Sequence, residues 1–451
     1  MHLAELEHKK IVIVGFGREG KSTFRYLRQL FPNIPLAVAD QNEAIDLADD
    51  EYTTTITGKD YLSRLSNYDV IIKSPGVVIR DAVQPQQVIS SQTDLFLNEY
   101  GSHVIGITGT KGKSTTTELI YHICNQHHNA VLAGNIGIPF FDVVPEIAPQ
   151  KIIVCELSCH QLEYLSQAPH TAILLNLFEE HLDHYKDFLA YQEAKFNICR
   201  MQPSNSDVLI YNADDPLVCN RIEAHKLQRN YYAFSLKNKV KRGCFINANN
   251  DIVLVDENKN EQIVLHIDDT LPLRGEHNLC NIMAATLACY LNGISLDQII
   301  SGIYSFRGLP HRMQLVGTFD GITYYDDSIS TIPQATIAAV KTLKNVDSLI
   351  LGGFDRGIDY SALENFLPTT NISNIIFTGN AGKRMYNAMQ NTIKNKRLLF
   401  ADNYEEIMRL AKQFTKKGCI CLLSPAAASY DMFRNFEHRG EVFATLAQQT
   451  A

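Results

Sequence analysis

The sequence predicts an α/β protein in three successive parts. Three observations carry this. Short β-branched runs alternate with helical spacings along most of the chain. A strand running into a glycine-rich turn recurs near residues 10–20, 104–116 and 348–357. The 451 residues, 45% hydrophobic and 20% charged, exceed what one hydrophobic core usually holds and bound the chain at about two to four domains.

The first part reads as a βαβ unit. Lys10 to Val14 form a strand, and Gly15-Phe16-Gly17-Arg18-Glu19-Gly20 matches G-x-G-x-x-G. Ser22 to Leu30 read as a helix, and Pro35 to Asp40 as a second strand ending in an acid. This is the Rossmann-like dinucleotide fingerprint, in which glycines admit a diphosphate and the acid meets a ribose. It calls for a diphosphate or ribose compound without specifying NAD, and a ligand-free βα turn is the alternative. Val70 to Lys73 form another strand, whose turn at Ser74-Pro75-Gly76 projects toward the same sheet edge.

The central part starts near residue 99. Val104 to Thr108 form a strand, Gly109-Thr110-Lys111-Gly112-Lys113-Ser114-Thr115 a glycine-rich loop, and Leu119, Ile120 and Ile123 the apolar face of a helix. A strand, glycine turn and helix start make a phosphate cradle from backbone N–H groups and a helix N-terminus. Lys113 reaches β/γ-phosphates and Ser114 ligates Mg²⁺ in such a P-loop. The spacing departs from G-x-x-x-x-G-K-[ST], since Ile107 stands at the first glycine. Ile152 to Ser158 form an apolar strand that ends in Glu156. A strand-end carboxylate beside a phosphate loop is where an NTPase holds Mg²⁺; a capping role is the alternative. Thr171 to Asn176 is a third strand, followed by Glu179-Glu180-His181-Leu182-Asp183-His184, in which His181 is either a ligand or structural. In the amphipathic helix around Tyr191 to Ile198, pattern alone places Lys195 on the surface. Residues 230–270 alternate as β-hairpins, Asn281 to Leu291 form a helix, and Gly308 to Arg312 read as a linker.

In the last part, strands are expected at 348–352, 374–379, 397–401 and 419–424. The turns Gly352 to Gly357 and Ser424 to Ser429 follow strands, where such sheets bind ligands. An α/β part without a phosphate loop suggests a domain for a second substrate. The net charge of −8 argues against a nucleic-acid partner. No apolar run approaches the roughly 18 residues of a membrane span. The start lacks a signal peptide's basic and apolar regions. Ten cysteines without C-x-x-C spacing read as reduced thiols of a cytoplasmic protein.

The runs G-T-K-G-K-S-T, E-L-S, N-L-F-E-E-H-L-D-H, G-E-H-N, F-R-G-L-P-H-R, Asp327-Ser328 and L-L-S-P-A-A-A-S-Y-D-M-F-R-N-F-E-H-R-G closely resemble those of the Mur ligases of peptidoglycan synthesis. Within that family they resemble the MurD-type branch, which adds glutamate to UDP-N-acetylmuramoyl-L-alanine. The resemblance runs from about residue 10 to 446. It implies a UDP-substrate domain (1–97), an ATP domain (98–308) and a glutamate domain (309–451) that close around their ligands. It implies ATP, two Mg²⁺ ions, a monomer and an acyl-phosphate route. Carried over by position, Gly109, Thr110, Lys111, Gly112, Lys113, Ser114, Thr115, Asn278, Asn281, Arg312 and Asp327 would meet ATP. Arg18, Asp40, Ser74, Asn135, Ser158, Gln161 and His181 would meet the UDP substrate, and Thr331, Arg356, Ser429 and Phe436 glutamate. Ser114, Glu156, His181 and Lys195 would serve metal, with Lys195 carbamylated; that replaces the surface reading of Lys195. Lys113, His181 and Lys195 would be catalytic. Departures are Lys111, where the family has Asn, and Ile329, where it has Lys. The S-Y-D-M-F-R-N-F ending favours D-glutamate, whereas the G-R-E-G, T-K-G-K-S-T and D-S-I-S-T runs resemble a relative that adds L-glutamate. An NAD-dependent oxidoreductase and a nucleotide-gated binding protein without chemistry are the competing classes.

Overall fold

The structure is a computed structural model that describes residues 1–45, 47, 51–79, 84–127, 129–135, 138–181, 184–268, 270–273, 275–390 and 392–449. Ile136 and Gly137, which follow Asn135, and Leu182 and Asp183 of the histidine run lie outside the described residues. The chain divides into two compact units, Met1–Phe306 and Arg307–Ala451.

The first unit holds two sheets. One has five strands, β1 (Ile11–Val14), β2 (Leu36–Asp40), β3 (Thr53–Thr57), β4 (Val70–Lys73) and β5 (Val88–Ser90), in the order β3-β2-β1-β4-β5. All pair in parallel, with Ile11 level with both Leu36 and Val70. Helix α1 (Arg18–Leu30) follows β1 and α2 (Gln92–Tyr100) follows β5. The expected βαβ unit is therefore present, with α1 starting four residues ahead of Ser22.

The other sheet has nine strands, β6 (Val104–Thr108), β7 (Ala130–Gly134), β8 (Ile152–Glu156), β9 (Thr171–Leu174), β10 (Val208–Asn212), β11 (Asn230–Ser235), β12 (Gly243–Ile246), β13 (Asp251–Val255) and β14 (Glu261–His266). Their order is β14-β13-β12-β11-β10-β9-β6-β8-β7. Helices α3 (Lys113–Cys124), α4 (Phe188–Arg200), α5 (Pro216–His225), α6 (Glu276–Leu291) and α7 (Leu296–Ser305) complete it. The hairpins expected through 230–270 occur at β12–β13 and β13–β14, but β11 and β12 run parallel. The parallel approach needs a glycine: an ideal Cβ on Gly243, at φ +133°, would stand 1.7 Å from the Ala233 carbonyl oxygen.

The second unit is one sheet, β15 (Gln314–Phe319), β16 (Ile322–Asp326), β17 (Val346–Gly352), β18 (Asn374–Thr378), β19 (Arg397–Phe400) and β20 (Ile420–Leu423), ordered β15-β16-β20-β17-β18-β19. Its helices are α8 (Pro333–Thr342), α9 (Ser361–Phe366), α10 (Gly379–Met389), α11 (Tyr404–Phe414) and α12 (Phe436–Gln448). The edge hairpin β15–β16 was not anticipated. Its outer strand is only half-buried, so its apolar run is too weak to read as a strand.

Strands covered on both faces read as unbroken apolar runs, and Ile11, Val12, Ile13 and Val14 are all fully buried. Parallel strands end at one edge, and a crevice opens where strand order reverses. The reversals fall at β1/β4, at β6 between β8 and β9, and at β17/β20. The two sheets of the first unit share a core. Tyr26 stacks on Phe141 with ring centroids 4.2 Å apart, and the Ser22 hydroxyl donates to Asp142 at 2.8 Å. The boundary expected near residue 97 lies within this unit, and the one near 308 lies beside its end. At the β1 turn, an ideal Cβ on Gly20 would stand 2.1 Å from the Gly15 carbonyl oxygen. Gly20→Ala should therefore cost about 1–3 kcal/mol through overpacking, read as a lower urea midpoint.

Candidate active site

The loop after β6 is shaped by its glycines. Gly109 has φ +157° and Gly112 φ +87°. A Cβ on Gly112 would meet Asn281 Oδ1 at 2.6 Å, so α6 packs directly against the loop. Asn281 Oδ1 accepts from the Thr116 hydroxyl at 3.1 Å, and its amide donates to Asn278 Oδ1 at 3.1 Å. Asn176, just past β9, braces the loop from the other side. Its Oδ1 accepts from Thr110 N (3.1 Å) and Lys111 N (2.8 Å), and its Nδ2 donates to the Lys111 carbonyl (2.9 Å). Ser114 and Thr115 occupy the first turn of α3. Lys111 pairs with Glu180 at 2.5 Å, so the lysine at the family's Asn position is anchored beside His181.

Two lysines converge on this loop. Lys113 Nζ donates to the Gly109 and Thr110 carbonyls, both at 3.0 Å. Lys195 Nζ donates to the Gly109 carbonyl at 2.8 Å and is buried at 2% exposure, so its surface reading from pattern alone was wrong. The amphipathic helix carries it inward, over the Tyr191 ring at 5.0 Å. Burial, and then Lys113, push the Lys195 ammonium down to about 7. Burial also lowers Lys113, against the opposing pull of Glu156 and Glu180. Glu156 ends β8 at 2% exposure. Its Oε1 accepts from Asn135 Nδ2 at 2.6 Å, while its buried Oε2 meets no protein donor among the described residues. His181 sits at φ +59°, and its ring lies 5.0 Å from that of His160. Burial, and then His184, push His160 down to about 4, so its imidazole is neutral near pH 7.

The first sheet's turn faces the same unit. The Ser74 hydroxyl donates to the Gly15 carbonyl at 2.7 Å. Asp40 takes backbone N–H groups on both oxygens, Phe16 at 2.5 Å and Asn42 at 2.8 Å. Arg18 opens α1. Its neighbour Glu19 accepts from Gln161 Nε2 at 2.7 Å, and Gln161 Oε1 accepts from Ser158 N at 3.0 Å. Ser158 and Gln161 are thereby tied to the nucleotide-type turn.

In the second unit, buried Asp327 accepts from Ser424 Oγ (2.7 Å) and Met313 N (3.1 Å), and burial raises its carboxyl to about 6. Arg312 is exposed. Exposed Arg356 donates to the Thr331 carbonyl at 3.2 Å. Ser429 is buried and Phe436 opens α12. Ile329 is half-buried. Arg439, almost fully buried, donates to Ser328 Oγ (2.9 Å) and to the Ser328, Ala427 and Ala428 carbonyls at 2.8, 3.1 and 3.2 Å. It thus clamps the loops after β16 and β20 together.

Residues 107–289 match the Mur ligase middle domain. The UDP-N-acetylmuramoylalanine–D-glutamate ligase of Desulfitobacterium hafniense is 34% identical over 98% of both chains. That of Ruminiclostridium cellulolyticum is 31% identical over 98% of this chain and 97% of its own. This chain belongs to the Mur ligase family. Solved Mur ligases share the fold at low identity. MurF of Acinetobacter baumannii superposes with TM-score 0.62 and 18% identity over 99% of this chain and 98% of its own. MurF of Thermotoga maritima, in complex with ADP, superposes with TM-score 0.56 and 15% identity over 100% and 97%.

Several residues that build this Mur ligase's loops escaped sequence reading. Asn176 carries the same strand-end signal as Glu156 and could have been found by it. Tyr191, whose hydroxyl lies 2.9 Å from that of Thr110, and Arg439 look like ordinary helix positions. None of the ten cysteines is in a disulfide, and among the described residues no helix is long and apolar enough to cross a membrane. Gly112→Ala in this Mur ligase should weaken binding of ADP or a non-hydrolysable ATP analogue at least about tenfold by calorimetry, because the φ and the Asn281 contact both exclude a Cβ.

Proposed function

We propose that this chain is an ATP-dependent ligase that joins glutamate to the terminal carboxylate of UDP-N-acetylmuramoyl-L-alanine in peptidoglycan precursor synthesis. The carrying observation is the convergence of Lys113 and Lys195 on the Gly109 carbonyl, in a chain that matches D-glutamate ligases end to end. The oxidoreductase alternative leaves both lysines and Glu156 without a task. The three sheets are assigned, in chain order, to the UDP substrate (1–97), ATP (98–308) and glutamate (309–451). On this reading the chain is a monomer of the cytoplasm.

A divalent cation fits the donor set. Among the described residues the buried Glu156 Oε2 meets no protein donor, which suits a hard cation, and Ser114 and His181 would complete the set; a second ion would be served by His181 and carbamylated Lys195. When bound, Mg²⁺ neutralises phosphate charge and polarises the transferring phosphoryl group. By the family resemblance, Gly109 to Thr115, Asn278, Asn281, Arg312 and Asp327 would contact the nucleotide. Lys113 balances negative charge on the phosphates. The substrate carboxylate oxygen attacks the γ-phosphorus, and ADP leaves. The carboxyl carbon of the resulting acyl phosphate is then open to the glutamate amine. Collapse releases inorganic phosphate and leaves an amide. Arg18, Asp40, Ser74, Asn135, Ser158, Gln161 and His181 orient the UDP substrate. Thr331, Arg356, Ser429 and Phe436 receive glutamate, with Arg356 suited to bidentate carboxylate pairing.

Phosphate release with ATP, UDP-N-acetylmuramoyl-L-alanine and each glutamate enantiomer tests the reading. Release with D-glutamate is expected, and no release with either enantiomer would end it. Lys195→Ala should cut turnover at least about a hundredfold, with partial rescue by short carboxylic acids. Because the Lys195 ammonium is pushed down to about 7, its amine becomes neutral and reactive toward CO₂ as pH rises from 6 to 8. A ¹³C-carbamate signal in ¹³C-bicarbonate should grow across that window and be missing in Lys195→Met.

A further inference from the structure

We propose that Glu163 is a positioning residue that ties His184, and through its backbone His181, to the turn closing the first sheet. The inference rests on the ligase reading for its substrate assay alone. Glu163 Oε2 pairs with Lys73 Nζ at 3.1 Å, and Oε1 pairs with His184 Nε2 at 2.5 Å. The three side chains are 2, 12 and 13% exposed. Lys73 ends β4, and its Nζ also donates to the Pro75 carbonyl at 3.2 Å. It therefore holds the backbone next to Ser74, which bonds the Gly15 turn.

At the other end, His184 is bonded through its backbone to His181. The amides of His184 and Tyr185 donate to the His181 carbonyl at 3.1 and 3.0 Å. The His160 ring packs edge-on between them, 4.2 Å from His184 and 5.0 Å from His181. One carboxylate thus places its two oxygens on Lys73, at the end of β4, and on His184, in the segment between β9 and α4. Charge-assisted bonds hold such a geometry tightly. Replacing a buried ion pair by apolar side chains is often neutral for stability, so the Lys73–Glu163 pair is assigned to orientation. The relay also borders a cleft of about 800 Å³ lined further by Tyr164, Tyr185 and Arg200.

The test compares wild type, Glu163→Gln, His184→Asn, their double variant and Glu163→Asp. Glu163→Gln and His184→Asn should each lower kcat/KM for UDP-N-acetylmuramoyl-L-alanine by about 10–100-fold. The KM for glutamate should stay within about twofold, Glu163→Asp should recover part of the loss, and the double variant should be no worse than either single, as for groups acting as one unit. A kcat/KM near wild type, an equal rise in the glutamate KM, or multiplying losses would overturn the proposal. If Glu163→Gln does not fold, Lys73→Met with Glu163→Leu removes both charges and must show the same selective loss. A second readout needs no substrate: Glu163→Gln should shift the imidazole NMR signals of His181, with which Glu163 forms no hydrogen bond or ion pair among the described residues. Unmoved signals would reject the positioning role, whereas an inactive wild type would count against the ligase reading.

Discussion

Everything in the first unit is arranged around one carbonyl group, that of Gly109. It accepts from both Lys113 and Lys195. Two ammonium groups on one acceptor repel each other, and their burial worsens the cost. The arrangement persists because the loop around it is over-determined: Asn176 holds its amides, Tyr191 meets its threonine, and α6 presses Asn281 against Gly112. The repulsion favours loss of the charge on Lys195, whose ammonium is pushed down to about 7 by burial and then by Lys113.

That arrangement in turn depends on a sheet-level constraint. Parallel strands end together, and β6 lies between β8 and β9. Glu156 and Asn176 are therefore delivered to either side of the same loop by strand pairing alone, whatever their separation along the chain. The buried, half-satisfied Glu156 carboxylate beside two lysines is a polar site that the fold tolerates at some cost to stability. Such departures from a satisfied interior mark places where a ligand completes the structure.

The first sheet reaches this centre through side chains. Glu19 to Gln161 to Ser158, and Lys73 to Glu163 to His184, are two polar lines between the sheets. Both end within a few residues of Glu156 or His181. In the second unit, Arg439 does comparable work with one guanidinium. It satisfies carbonyls of two loops and so sets the distance between Asp327 and Ser429.

Strand and helix order, the two glycine turns, the place of Lys113 at its loop and of Glu156 at its strand end were legible in the sequence. Apolar runs, positive-φ glycines and strand-end acids are local signals, readable within a dozen residues. The edge hairpin β15–β16 and the parallel β11–β12 pair were not legible, because one is only half-buried and the other depends on a close backbone approach at Gly243. Lys195 shows the limit most clearly: its helix repeat placed it outside, and only the packing of α4 against the loop brought it to the Gly109 carbonyl. Local sequence determined which elements form and where their turns lie. Tertiary structure alone decided which of those turns share a carbonyl, a carboxylate or a charge, since such pairings join residues tens of positions apart that no short-range pattern connects.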